Sequence, residues 1–195
     1  MQFMRFLPAF ALGAAVIAAG CGGGGYGGPT SPDSSHVSAA SVHLKFGANS
    51  EPGFVDNGLS LTSNGALSGL GNQDLVVTLT AEANVTANCT NQGGNQAPGQ
   101  NPAPITVTGS QSIPASEIKN GNVSFSVTTE QPTTPIPGAP GCPNPNWSEN
   151  ITDLSFTSAT ITVEQPVGTL VLTVSCTFSA PTTNGAVSKQ NVVCS

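Results

Sequence analysis

Charge is what this chain has least of. Lys, Arg, Asp and Glu supply 7% of its 195 residues, against roughly a quarter in an average soluble domain. Cations are the scarcer sign. Arg5 is the sole arginine and Lys45, Lys119 and Lys189 are the only lysines, against ten Asp and Glu, for a formal net charge of −6. Nucleic acid and anionic headgroups are both held through clustered Lys and Arg, so neither is an expected partner. The acids are dispersed, which argues against an acidic tail and against a designed carboxylate pair. Glu117, Glu130, Glu149, Asp153 and Glu164 read as solvated groups on a weakly charged surface.

Residues that carry chemistry are equally sparse. There are two histidines, His36 and His43, and neither sits at a metal-ligand spacing. No CxxC pair, GxSxG elbow, HExxH helix, phosphate-binding loop or calcium-binding loop occurs. No catalytic residue, metal or cofactor is therefore nominated. A hydrolase with a site unrecognisable from sequence is the alternative, and it would need His43 joined in space to a Ser and an acid. Strong helix formers such as Glu, Lys, Arg and Met are few, whereas Thr, Val, Ser, Gly and Pro abound, a bias toward strands and turns.

What is present begins at the N-terminus. One positive charge in residues 1–5 precedes an apolar run over 6–19, the shape of a secretory signal peptide. The run is about 14 residues long, short of the roughly 20 that a spanning helix needs. Residues 1–20 are accordingly expected to be a signal peptide. Ala18, Ala19, Gly20 and Cys21 resemble the lipobox of bacterial lipoproteins, in which small residues precede a cysteine that is diacylated before cleavage. The resemblance implies lipidation of Cys21 and membrane attachment through that anchor, since two acyl chains hold a protein stably where one is marginal. It further implies an outer-membrane destination where the envelope has one, because Gly22 stands where Asp would signal inner-membrane retention. The other reading of the junction is an ordinary secretory signal cut after Ala19 or Gly20. Residues 22–38, GGGGYGGPTSPDSSHVS, predict a flexible Gly/Ser/Pro tether, with His36 solvated inside it. A folded domain is expected over 39–195.

Within that domain apolar residues recur with a period of two. Val42, Leu44 and Phe46 alternate with His43 and Lys45. Leu75, Val77, Leu79, Ala81, Ala83, Val85, Ala87 and Cys89 share one parity, which predicts a long half-buried strand. Further strand signals cover 105–108, 123–128, 151–156, 159–164, 169–178 and 191–194. Eight or so short strands with frequent turn residues predict an all-β, antiparallel β-sandwich, loosely immunoglobulin-like, with a β-barrel as the alternative. Folding 159–164 onto 169–178 sets Val163 opposite Leu170, Ile161 opposite Leu172 and Thr157 opposite Cys176. It also predicts a bulge near Thr157 and Ser158, where the strand would change sheet.

Setting Cys21 aside leaves Cys89, Cys142, Cys176 and Cys194, an even set suited to two disulfides in an exported chain. A turn near residues 182–186 places Phe178 opposite Val192 and Cys176 opposite Cys194. That favours Cys176–Cys194 and, by elimination, Cys89–Cys142, with Cys89–Cys176 as the rival. Two long connections are candidates for recognition: residues 91–104, NQGGNQAPGQNPAP, and residues 140–147, PGCPNPNW. Their amides suit sugar or peptide hydrogen bonds, and Trp147 is a candidate stacking platform. The competing reading is structural, with proline and a disulfide stiffening long loops and Trp147 plugging the core. The segments GNQAPGQNPAP, NGNVSF and CPNPNW resemble parts of secreted bacterial proteins and imply no activity. The expectation is a membrane-anchored lipoprotein of the cell envelope with a non-enzymatic binding or structural domain, its partner an envelope glycan or a protein.

Overall fold

The computed structural model describes residues 41–45, 52–99 and 102–195. The expected signal peptide, Cys21 and the expected tether with His36 lie outside the described residues, as does Phe46. The described residues form eleven strands: β1 His43–Leu44, β2 Gly53–Asp56, β3 Leu61–Ser68, β4 Leu75–Thr90, β5 Gln96–Pro98, β6 Ile105–Ile113, β7 Asn122–Thr128, β8 Ser148–Glu164, β9 Leu170–Phe178, β10 Gly185–Ala186 and β11 Val192–Cys194. Two single turns of 3-10 helix, Ala115–Glu117 and Lys189–Asn191, complete the described elements.

Alternation explains the strands directly. Every second residue of β4 from Leu75 to Cys89 is buried, and the Thr, Glu and Asn residues between them face outward, the pattern of a sheet with one wet face. All strand pairs are antiparallel. In one sheet β3 lies between β7 on one side and β2 and β1 on the other, and β10 pairs with β2. The other runs β11, β9, β8, β4, with β6 and β5 sharing the far side of β4. The inner faces meet in a single apolar core. Phe54 of the first sheet meets Phe178 of the second edge to face, with ring centroids 5.2 Å apart. The expected sandwich is the architecture, and no closed barrel forms among the described residues.

The two sheets touch backbone to backbone at one edge. Glu130 N donates to Thr108 O at 3.0 Å, and Ser126 N donates to the side chain of Gln111. Gly109 makes this seam possible, since a Cβ there would lie 1.9 Å from the Thr128 carbonyl oxygen. A buried polar link joins the layers elsewhere. Asp56, on β2, accepts hydrogen bonds from Gly58 N and from the Thr182 hydroxyl. The same hydroxyl accepts from Phe156 N on β8, so each buried polar atom in the chain of bonds has its partner.

Two details of register differ from the sequence reading. The β8–β9 pairing sets Val163 opposite Leu172, Ile161 opposite Val174 and Ala159 opposite Cys176, two residues away from the expected alignment. Parity is conserved from Leu172 to Cys176, but beyond the irregularity Leu170 pairs with Glu164 and leaves the inward set, 60% exposed. The shift arises because the turn is closed by Gln165 N to Thr169 O and Thr169 N to Pro166 O, and a bulge near Val171 absorbs the extra residue. The bulge expected near Thr157 is present, since Ser158 pairs with Glu82 and Phe156 with Ala83. The strand does not change sheet there, however: β8 stays paired with β4 on both sides. A long partner strand carries it past the irregularity.

The connection from β9 to β11 is also more than a turn. It crosses to the first sheet, where Gly185 and Ala186 pair with Asp56 and Val55, and then returns. Phe178 opposite Val192 and Cys176 opposite Cys194 are nevertheless the registers formed. Cys176 and Cys194 are bonded, with Cα atoms 4.1 Å apart, and Cys89 is bonded to Cys142 at 5.6 Å. The close Cα approach of the first pair suits a directly opposed, non-hydrogen-bonded strand position, which the exchanged bonds of neighbouring Ser175 and Ser195 define. Two disulfides in one domain indicate an oxidising, extracytoplasmic compartment. Among the described residues no helix is long and apolar enough to cross a membrane.

Candidate functional site

The Cys89–Cys142 end of the sandwich gathers the two polar loops. After β4 the chain turns through residues 91–95. The Asn91 side-chain oxygen accepts from Gly93 N at 3.0 Å and Asn95 N at 2.9 Å, an Asx-type closure that needs no packing partner. Gly94 supplies the positive φ of the turn, +77°. The chain then returns as β5 along Asn88, Cys89 and Thr90. The segment expected as a continuous loop thus contains a short strand.

The second loop, residues 134–147, has little regular structure and is pinned to β8 at several points. Ile136 N donates to Glu149 O at 2.7 Å, the Thr134 hydroxyl accepts from Ile151 N, and the disulfide ties Cys142 to β4. The Glu149 carboxylate accepts from Gly141 N at 2.9 Å. Glu149 is fully buried, which corrects the reading of it as a solvated acid. It falls on the inward parity of β8 with Ile151, and the loop folds over it. Its other oxygen, Oε1, has no hydrogen-bond partner among the described residues.

Together the loops border a depression of about 340 Å³ lined by Thr90, Asn91, Gln92, Pro135, Asn146, Ser148 and Asn150. Four of these seven side chains are amides, two are hydroxyls and none is charged. Asn91 and Gln92 come from the first loop and Asn146 from the second, so the structure unites the segments the sequence singled out. Thr90, Ser148 and Asn150 come from the outward parity of the adjoining strands, a contribution that loop composition does not signal. Gln92 and Asn146 are exposed and Asn150 is half-buried. Trp147 does not line the depression. It lies in the bend just before β8, where its N–H donates to Asn144 O, and is half-buried.

His43 stands elsewhere, on β1 in the other sheet. It is exposed, and its Nδ1 lies 2.7 Å from the Ser41 carbonyl oxygen. Two further depressions, beside β6 and beside residues 180–191, are lined mainly by hydroxyl and aliphatic side chains. Among the described residues no group of three or more His, Cys, Asp and Glu is placed to hold a metal ion. Comparison of the chain with protein-family models, with curated proteins and with solved structures finds no match.

Proposed function

We propose that this protein is a lipid-anchored lipoprotein of the cell envelope whose β-sandwich is a non-enzymatic binding module for neutral envelope glycan. The observation that carries the reading is the amide- and hydroxyl-lined depression, free of charged side chains, at the disulfide-pinned end of the domain. Amides offer a donor and an acceptor side by side, which matches the paired hydroxyls of a sugar. A charged lining would favour ionic ligands instead. The disulfide, the Glu149 bond and the Asn91 turn hold both rims in place before a ligand arrives, which lowers the entropy lost on binding. The anchor rests on Cys21 and the residues before it, and an outer-membrane location follows from Gly22 where the envelope has that membrane.

Residues 39–195, which carry the whole of the described core, are to be titrated with neutral and charged glycans from bacterial envelopes. Binding of a neutral glycan is expected. Asn150→Ala is expected to weaken it about tenfold, the loss of roughly 1.4 kcal/mol that one or two hydrogen bonds supply. Silence toward all neutral glycans would overturn the binding reading. Intact-mass measurement of the native protein addresses the anchor separately: a mature chain starting at Cys21 without added lipid mass would remove it.

A further inference from the structure

The outward face beside the depression carries more of the depression's chemistry than the depression itself uses. Across the β4–β8 pair Thr90 stands opposite Ser148 and Asn88 opposite Asn150. Asn150 lines the depression, so the two surfaces are continuous. Away from the loops the same parity of β4 brings Thr86 and then Asn84, the latter opposite Ser155. The irregularity between Thr86 and Ala87 leaves Thr152 as an extra residue on β8. Thr86, Asn84 and Thr152 are exposed, and Asn88 and Ser155 are half-buried, the accessibility of an open sheet face. Thr152 Oγ1 donates to Thr86 O and Ser158 Oγ to the Glu82 carboxylate, whereas among the described residues no partner engages the side-chain amides of Asn84, Asn88 or Asn150. Of the two acids between Ser148 and Ser155, Glu149 is buried and Asp153 accepts from the Asn184 amide at 3.3 Å. Glu82, opposite Ser158, ends the uncharged run.

We infer that the depression is one end of an elongated site, which runs along the outward β4–β8 face as far as Asn84 and Ser155 and takes a linear neutral glycan chain of several sugar units. The inference rests on the glycan reading above and adds the form of the ligand. Side chains of one parity repeat about every 6.8 Å along a strand, so the rows from Thr90 to Asn84 span roughly 20 Å. A disaccharide in the depression leaves those rows in water, and a longer chain lies along them. Each amide offers a donor and an acceptor and each hydroxyl can be either, which suits the hydroxyls that recur along a sugar chain. A run without charge makes no demand for ionic groups at fixed intervals on the ligand. β4 and β8 are paired through the whole stretch, so the rows keep their spacing before a ligand arrives and little order is lost on binding.

The test is calorimetric titration of the full chain, in detergent, with linear β-linked glucose and N-acetylglucosamine oligomers, each as the disaccharide and the octasaccharide. An octasaccharide is expected to bind about tenfold more tightly than its disaccharide, the gain of one or two further hydrogen bonds. The double variant Asn84→Ala, Ser155→Ala alters only the far end of the face, and outward substitutions of this kind leave a fold intact. With native circular dichroism, it is expected to weaken the octasaccharide about fivefold and the disaccharide less than twofold. Equal affinity for the two lengths would overturn the elongated site and leave the glycan reading standing. A folded double variant that weakens both lengths alike, or neither, would overturn it as well, since the distal rows would then make no separate contact. Silence from every oligomer would sink this inference, and the glycan reading goes with it only if the envelope glycans of the wider titration are silent too.

Discussion

The two disulfides join different kinds of structure. Cys176–Cys194 connects neighbouring strands already held by ladder hydrogen bonds and closes a separation of 18 residues. Cys89–Cys142 connects a strand to a loop with little regular structure and closes 53. In a chain-entropy account these separations correspond to about 3 and about 4 kcal/mol of stabilisation. The structural consequence differs more than the energy. β11 keeps its hydrogen bonds to β9 without its bridge, whereas the 134–147 loop would retain only a few bonds to β8. One bridge reinforces a sheet; the other pins a loop that borders the depression.

Removing each bridge in turn is the strongest way to break this contrast. Replacing Cys89 and Cys142 together by Ala is expected to lower stability by about 4 kcal/mol and to open residues 134–147 to protease. Replacing Cys176 and Cys194 together is expected to lower it by about 3 kcal/mol with no new cleavage site in that loop. Urea denaturation and limited proteolysis measure both, and equal loop cleavage in the two variants would erase the distinction.

A smaller change sharpens it. Glu149→Ala leaves the bridge intact but removes the acceptor of Gly141 N, and a partly buried donor left without a partner costs about 2 kcal/mol. Faster hydrogen exchange is expected in residues 134–147, with β4 and β6 unchanged. The smallest effect is expected at Asn91→Ala, about 1 kcal/mol, with faster exchange at Gly93 and Asn95 and weaker glycan binding. Altered protection at Gly141 in that variant would mean that the two rims are coupled more tightly than their separate hydrogen bonds imply.

Much of the sandwich was legible because strand alternation is a local signal. The inward set of β4 from Leu75 to Cys89 and the bulge at Thr157 follow from parity, and parity also aligns Phe178 with Val192 although the connection between them crosses to the other sheet. The β8–β9 alignment moved by two residues because the turn bonds at Gln165 and Thr169 left an extra residue to the bulge, and nothing in the alternation distinguishes alignments two residues apart. At the candidate site the two loops were legible from their amides and prolines. Glu149 was not, because a carboxylate in a sparsely charged chain reads as surface; its place two residues before Ile151 on the inward parity was the available signal. Trp147 illustrates the converse, since Asn146 and Asn150 on either side of it line the depression and it does not.

By itself the sequence determined the all-β class, the inward faces of the strands and the segments rich in amide groups. These depend on side-chain chemistry at a period of two and on turn residues a few positions apart. Only the tertiary structure decided that Asn91, Gln92, Asn146 and Asn150 share one depression, that β10 crosses to the opposite sheet, that a carboxylate is buried under the 134–147 loop, and that Leu170 leaves the inward set at a bulge. Those outcomes depend on which strands become neighbours and where each partner stops, and such contacts between residues far apart in the chain leave no periodic trace within any one segment.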